Sequence, residues 1–187
     1  HHSSTHLVHA VLKIVLGDHV KQKGSLVDEH KLRFDFSHDE SLSEKEIFEI
    51  EQLVNQEILK NTPVSTKIMD LDEAMNSGAE SLFGEKYDDE VRVLSIGEDD
   101  FSLELCGGTH IARTGDLGIF IITSQSSVAS GVRRIEALSG PKAQEYLASL
   151  KNQTIQLQKL LNAPVEEIEE KVSKLLKENK NLKKGGK

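Results

Sequence analysis

The sequence predicts an α+β fold, an antiparallel sheet backed by helices, that continues into a C-terminal helical hairpin or coiled-coil-like arm. Before Gly140, short strand patterns and helical patterns alternate without the regular spacing of βαβ units, which favours an antiparallel sheet. After Gly140 the apolar residues change to heptad spacing. With 187 residues, of which 37% are hydrophobic and 29% charged, the chain is long enough to bury a core. We therefore expect a globular domain over residues 1–140 and a helical arm over residues 141–187.

The opening segment predicts a helix. From His6 onward the apolar residues keep helical spacing until Gly17, a residue type that commonly ends a helix. His2 precedes His6 by four positions, so both imidazoles share one face if the helix includes its first turns.

The middle of the chain contains two predicted helices and several strands. Ser43 followed by Glu46 is the signature of a capping box, and the helical pattern that follows ends before Pro63. A shorter helix is predicted from Asp70 to Asn76 and is closed by Gly78. The other elements predicted here are strands at Lys31 to Phe36, Val64 to Met69, Val91 to Ile96, Phe101 to Leu105, Gly118 to Thr123 and Val132 to Leu138, with a loop from Gly84 to Asp88.

Two amphipathic helices are predicted beyond Gly140. The heptad positions are Tyr146, Leu150, Gln153, Leu157 and Leu160, followed by Val165, Ile168, Val172, Leu175, Asn179 and Leu182. Asn162-Ala163-Pro164 separates the two sets. The pattern leaves an antiparallel hairpin and two parts of a longer arm as alternatives, and either arrangement can support self-association.

Composition narrows the class of protein. A net charge of −8 argues against a general nucleic-acid coat, although Arg113, Arg133, Arg134 and Lys142 form a locally basic group. No apolar run approaches the ~18 residues that a membrane span needs, and no signal peptide is recognised. The single cysteine excludes an internal disulfide and fits a reducing compartment, so the expected location is the cytoplasm. Without an initiator methionine, the chain is expected to be a fragment of a longer protein.

Two short clusters carry chemistry that packing does not require. His2-Ser3-Ser4-Thr5-His6 places two imidazoles at helical spacing, and Cys106-Gly107-Gly108-Thr109-His110 follows a predicted strand. Imidazole nitrogen and thiolate sulfur are preferred ligands of tetrahedral zinc. The paired glycines let the backbone turn tightly, so that sulfur and imidazole can converge. The residues alone leave alternatives open, because such a histidine pair is often an ordinary helix face and a single cysteine an ordinary buried thiol.

Longer stretches of the sequence resemble a known family. The resemblance is to the editing domain of alanyl-tRNA synthetases and rests on HSSTHLVHAVLKIVLGDHVKQKGSLV, LRFDFSH, SLFGEKYDDEVRV, ELCGGTH, TGDLG and GVRRIEALSG. It extends from about His2 to Gly140, and the helical tail resembles the segment that follows this domain. Free-standing alanyl-tRNA editing proteins carry the same two clusters. The editing domain of threonyl-tRNA synthetase is a poorer match, because it normally lacks the glycine pair.

The resemblance implies a zinc-dependent hydrolase. It implies that His2, His6, Cys106 and His110 bind one zinc ion. The implied reaction is hydrolysis of the ester that joins serine or glycine to the acceptor end of tRNA(Ala). The aminoacylation domain of the parent ligase is not part of the resemblance, so this segment is not expected to charge tRNA. Since four protein ligands are typical of structural zinc and three of hydrolytic zinc, both ligand counts stay open.

The resemblance also suggests roles outside the metal set. Gln22 matches a position associated with editing and can hydrogen-bond substrate and water, the alternative being a solvated loop glutamine. Thr5 can present its hydroxyl to the serine side chain, or serve only in capping and packing. The amides of Gly107 and Gly108 can donate to a developing oxyanion. Arg133 can meet acceptor-end phosphates, the alternative being a surface charge paired with an acid.

Three functions are therefore consistent with the sequence. The first is an aminoacyl-tRNA deacylase belonging to a synthetase, or its free-standing equivalent. The second is a tRNA-binding module whose zinc is purely structural. The third is an oligomerisation segment, which the heptad pattern suggests.

Overall fold

The computed structural model describes residues 2–81 and 87–185. The chain divides into two compact units, His1–Gln144 and Glu145–Lys187. Of the loop predicted from Gly84 to Asp88, the first three residues lie outside the described part, and Tyr87 and Asp88 have no regular secondary structure.

The first unit combines antiparallel strands with helices, which confirms the predicted α+β class. Its elements are α1 (His2–Leu16), β1 (Gln22–Val27), β2 (Leu32–Ser37), α2 (Glu44–Lys60), β3 (Val64–Asp70), α3 (Leu71–Asn76), β4 (Glu90–Ile96), β5 (Ser102–Leu105), β6 (Phe120–Ala129) and β7 (Val132–Ser139). A further helix, α4 (Pro141–Leu161), begins in this unit and continues into the second, where α5 (Ile168–Gly185) follows.

The strands form two antiparallel sheets. One has the order β1-β2-β7-β6 and the other the order β3-β4-β5. β6 is longer than its predicted strand because it continues through residues 124–129 alongside β7. β1 was not predicted, and it places Gln22 at the first position of an edge strand with a bulge between Gln22 and Gly24.

Local signals explain where the two long helices of the first unit begin and end. α1 ends at Gly17, whose φ of +115° is accessible to glycine and strained for other residues. α2 begins with the predicted capping box, in which the Ser43 hydroxyl accepts from the Glu46 amide while the Glu46 carboxylate accepts from the Ser43 amide. Asn61, with a φ of 53°, ends α2 by donating its N–H to the Ile58 carbonyl.

The core brings α1 against strands of both sheets. α1 contacts α2, β1 and β2, and it also contacts β5 of the three-stranded sheet. Its largest fully buried side chains include Leu7 and Leu12, and those of the four-stranded sheet include Phe34, Phe36 and Phe120. Because the same helix touches the four-stranded sheet and β5, its first turns are fixed beside the loop that follows β5.

The second unit contains the rest of α4 and the whole of α5. The two helices are separated at Asn162-Ala163-Pro164, where Asn162 has a φ of 46°. Several of the heptad leucines are exposed, with 81% of Leu160 and 78% of Leu182 accessible to solvent. Self-association through these helices stays a prediction. Among the described residues, no helix has the length and apolar character needed to cross a membrane.

Candidate metal centre

Two elements that are distant in sequence supply one cluster of donor atoms. α1 provides His2 and His6 in its first turns, and the loop after β5 provides Cys106 and His110. One donor atom of each residue lies within 4.8 Å of those of the other three. The donor atoms around a tetrahedral zinc ion are separated by about 3.3 to 3.8 Å, as follows from its bond lengths to nitrogen and sulfur. The cluster therefore has nearly the dimensions of a zinc site.

The orientation of the imidazoles adds to this fit. The Nδ1 atom of His6 lies 2.6 Å from Glu104 Oε2, and the Nδ1 atom of His110 lies 3.2 Å from Ser3 Oγ. The Nε2 atoms of His6 and His110 are buried and have no hydrogen-bond partner among the described residues. Leaving a buried polar atom without a partner costs free energy. A metal cation bound by these two nitrogens would remove that cost.

The ionisation of Cys106 suits a cation, whereas a metal ion that binds His6 must displace a proton from it. Burial opposes ionisation of the Cys106 thiol, but polar interactions with His110, His2 and His6 outweigh it and lower the pKa of this thiol to about 4. Burial also disfavours a charged His6, but Cys106 and Glu104 outweigh burial and raise the pKa of His6 to about 9. The cluster thus favours a thiolate, the form of cysteine that binds metals.

The paired glycines have different structural roles. A Cβ atom on Gly108 would lie 2.7 Å from His2 Nδ1 and overlap the imidazole ring, whereas a Cβ on Gly107 would meet none of the described residues within 4 Å. The backbone amide of Gly108 helps to lower the pKa of the Cys106 thiol. Arg92 on β4 stabilises this loop. Its Nη1 donates hydrogen bonds to the carbonyls of Gly108 at 2.8 Å and Gly107 at 3.3 Å. Only Gly108 is required by the packing of the site.

Gln22 lies on the wall of a cavity beside the cluster. The cavity has a volume of about 410 Å³, and His9, Glu80 and Glu104 also line it. The Gln22 side chain donates to Ser25 Oγ at 3.2 Å. Glu104 connects the cavity to the cluster, since it also bonds His6.

Thr5 and Arg133 differ in their relation to the cluster. Thr5 lies on α1 between the two histidines, and only 4% of it is exposed. Arg133 donates from Nη2 to Gln125 Oε1 at 3.1 Å, so it bonds a residue of β6 rather than a ligand candidate. Arg133 and Arg134 are consecutive in β7, so their side chains lie on opposite faces of the sheet. In the register with β2, Arg133 pairs with Phe36 and Arg134 pairs with Asp35.

Three supporting residues were not found from the sequence: Glu104, Ser3 and Arg92. The signal for Glu104 was available, because residues two apart in a strand share a face and Glu104 precedes Cys106 by two positions. Ser3 follows His2 directly, and only the fold shows that its hydroxyl meets His110. Arg92 has no local signal, since it reaches the glycine loop from the neighbouring strand β4.

Comparison with known proteins identifies relatives of the whole segment. Residues 91–136 match the family model described as the threonyl and alanyl tRNA synthetase second additional domain. The chain is 53% identical to the alanine–tRNA ligase of Saccharophagus degradans over 183 residues, 51% identical to that of Ruthia magnifica over 181, and 50% identical to that of Dichelobacter nodosus over 184. These alignments cover 97–98% of the chain and 21% of each relative. Over nearly its whole length, the chain is therefore similar to one segment, about a fifth, of these alanine–tRNA ligases.

Proposed function

We propose that this chain hydrolyses mischarged tRNA(Ala) by cleaving the ester between serine or glycine and the terminal adenosine, in a zinc-dependent reaction. The observation that carries the proposal is the convergence of three imidazoles and one thiol, with two buried nitrogens that lack a partner among the described residues. The relationship to alanine–tRNA ligases favours tRNA(Ala) as the partner.

In this proposal His2, His6, Cys106 and His110 hold the metal. A zinc ion bound there supplies positive charge that polarises an ester carbonyl. His6 is buried and Cys106 is half-buried, so these two donors are partly shielded from bulk solvent. Cys106 takes part as the thiolate.

Gln22 is the proposed contact for the reacting group outside the metal set. Its amide can donate to one oxygen and accept from another without a change of charge. The cavity wall that it shares with Glu80 and Glu104 is polar enough to satisfy a serine hydroxyl. Alanine would leave such groups unpaired, and this is the physical basis on which the site would spare correctly charged tRNA.

The remaining sequence-predicted residues have narrower proposed roles. The backbone amides of Gly107 and Gly108 are the proposed donors to a developing oxyanion. Thr5 is buried on α1 between the two histidines, and its hydroxyl is the proposed contact for the serine side chain. Arg133 would exchange its bond to Gln125 for a phosphate of the acceptor end.

One observation favours a second candidate, a tRNA-binding module with a structural zinc. Four protein donors are available, and four protein ligands are typical of zinc sites that only stabilise a fold. In this case the zinc would hold α1 against the loop after β5, and the chain would bind tRNA(Ala) without cleaving it.

Hydrolysis of seryl-tRNA(Ala) by the purified chain separates the two candidates. The assay is run with zinc, with a chelator, and with zinc restored, and metal content is measured in each sample. We expect hydrolysis that disappears with the metal and returns with it, while alanyl-tRNA(Ala) stays intact. Cys106→Ala should lose both zinc and hydrolysis and keep the circular dichroism spectrum of the folded chain.

Two results would count against the deacylase. A folded chain with one zinc ion that leaves seryl-tRNA(Ala) intact would favour the structural candidate, particularly if it retains affinity for the tRNA. Hydrolysis that persists at full rate after removal of all zinc would show that the metal has no part in the reaction.

A further inference from the structure

Glu104 is a buried carboxylate that bonds two histidines at once. Only 4% of it is exposed. Its Oε2 atom lies 2.6 Å from His6 Nδ1, and its Oε1 atom lies 3.0 Å from His9 Nδ1. Each oxygen is therefore occupied by a different ring, and both rings come from the same helix, α1.

This geometry determines which nitrogen of His6 is free. An ionised carboxylate can only accept hydrogen bonds, so both Nδ1 atoms must carry a proton. A histidine that binds a metal is neutral, so with Nδ1 protonated the lone pair of His6 lies on Nε2, the atom that is buried without a partner among the described residues and belongs to the donor cluster.

The carboxylate is itself held in place. The His9 ring packs against Phe34 with centroids 5.4 Å apart, and Ser102 Oγ lies 3.5 Å from Glu104 Oε1. Phe34 is fully buried in the four-stranded sheet. His9 therefore connects Oε1 of Glu104 to the core. Because the carboxylate is held at this oxygen, its Oε2 atom has a fixed position beside His6.

We propose that Glu104 is a positioning residue of the metal centre: anchored by His9, it fixes the Nδ1-protonated tautomer and the ring orientation of His6, so that His6 Nε2 is presented to the metal. The inference rests on the proposed zinc site and deepens it. A second partner of this kind both orients a histidine ligand and increases its basicity, and its loss typically weakens metal binding 10- to 100-fold.

Zinc affinity of Glu104 variants tests the proposal. Glu104→Leu removes both acceptors, and we expect a zinc affinity about 10- to 100-fold lower, measured by competition with a chromophoric chelator. Glu104→Gln keeps one acceptor oxygen, so its loss should be smaller. Glu57→Leu is the matched control, because Glu57 is equally buried, at 5% exposure, but bonds Lys60 on α2. It should keep the wild-type zinc affinity.

A measurement on the unaltered protein keeps the proposal testable even if Glu104→Leu does not fold. Nitrogen-15 NMR of the metal-free chain, recorded at a pH high enough for both rings to be neutral and with histidines assigned by single substitution, should show protons on Nδ1 of both His6 and His9. Finding the Nδ1 atom of His6 unprotonated, or a loss of zinc affinity below about threefold in folded Glu104→Leu, would overturn the proposal. If wild-type protein binds zinc but cleaves no ester, the deacylase proposal fails while these two readouts still decide the role of Glu104.

Discussion

Cys106 Sγ lies 3.6 Å from His2 Nε2, although the two residues are 104 positions apart in the chain. The contact joins the first turn of α1 to the loop after β5, two pieces that have no covalent connection nearby. Their approach is possible because Gly108 has no side chain where the His2 ring lies. The donor cluster is therefore a product of tertiary packing, and small changes at this junction should alter metal binding more than they alter the fold.

The first prediction compares the two glycines of the loop. Gly108→Ala should reduce zinc content strongly, because the new Cβ overlaps the His2 imidazole and must displace a ligand. Gly107→Ala adds the same methyl group at a position with no atom of the described part of the chain within 4 Å, and it should keep zinc at the wild-type level. Metal analysis of both purified variants checks this. Equal zinc content in the two would contradict the placement of His2 against Gly108.

The second prediction concerns the hydroxyl behind His110. Ser3 Oγ lies 3.2 Å from His110 Nδ1 and accepts from the Ile111 amide at 3.3 Å. Ser3→Ala should lower zinc affinity by up to about tenfold, since His110 loses the partner that orients its ring. Ser4→Ala is the control, because Ser4 is buried on the same helix but its hydroxyl lies near Ser139. Chelator competition measures both, and unchanged affinity in Ser3→Ala would remove Ser3 from the site.

Much of the fold could be predicted because its signals are local. Helical spacing up to Gly17, the Ser43–Glu46 capping box and the alternating strands each depend on residues close together in sequence. β1 has no such signal. It forms because β2 offers a free edge, and its own pattern contains Gly24 and a bulge.

The candidate site likewise has a part that local sequence patterns predict and a part that they do not. The four donors could be predicted as two pairs with the spacings of a helix and a tight loop, and the structure brings them together. The residues that orient them come from other elements, as Arg92 on β4 shows. Asp35 is a second example. Strand alternation places its side chain on the face away from the core, yet the residue is buried. Its carboxylate accepts two hydrogen bonds from Arg134 at 2.7 and 2.8 Å, which compensate for the burial. Such partners depend on strand register, which a single sequence does not specify.

The third prediction compares two glycines with similar φ angles outside the site. Gly97 and Gly78 have φ values of +89° and +86°, so alanine is strained at both positions. At Gly97 the new Cβ would also lie 2.7 Å from Phe101 Cβ, whereas at Gly78 it meets no atom of the described residues within 4 Å. Gly97→Ala should therefore lower the free energy of unfolding by about 1–3 kcal/mol more than Gly78→Ala. Urea unfolding of both variants measures the difference, and equal losses would exclude the clash.

The fourth prediction uses the capping box of α2 as a pH-dependent contribution to stability. The Ser43 amide and then its hydroxyl donate to the Glu46 carboxylate and hold its pKa below the usual value. A carboxyl whose pKa is lower in the folded chain stabilises that chain above its unfolded pKa, and the contribution is lost as the pH falls through the folded pKa. Glu46→Gln should thus lower the free energy of unfolding by roughly 0.3–1 kcal/mol at pH 7. The difference from wild type should shrink as the pH is lowered past about 4, where the unfolded carboxyl becomes protonated.

Glu49→Gln, an exposed change further along α2, is the control for an ordinary loss of surface charge. A wild-type advantage over Glu46→Gln that stays constant between pH 7 and pH 3 in thermal unfolding would show that the ionised carboxylate does not stabilise the helix start.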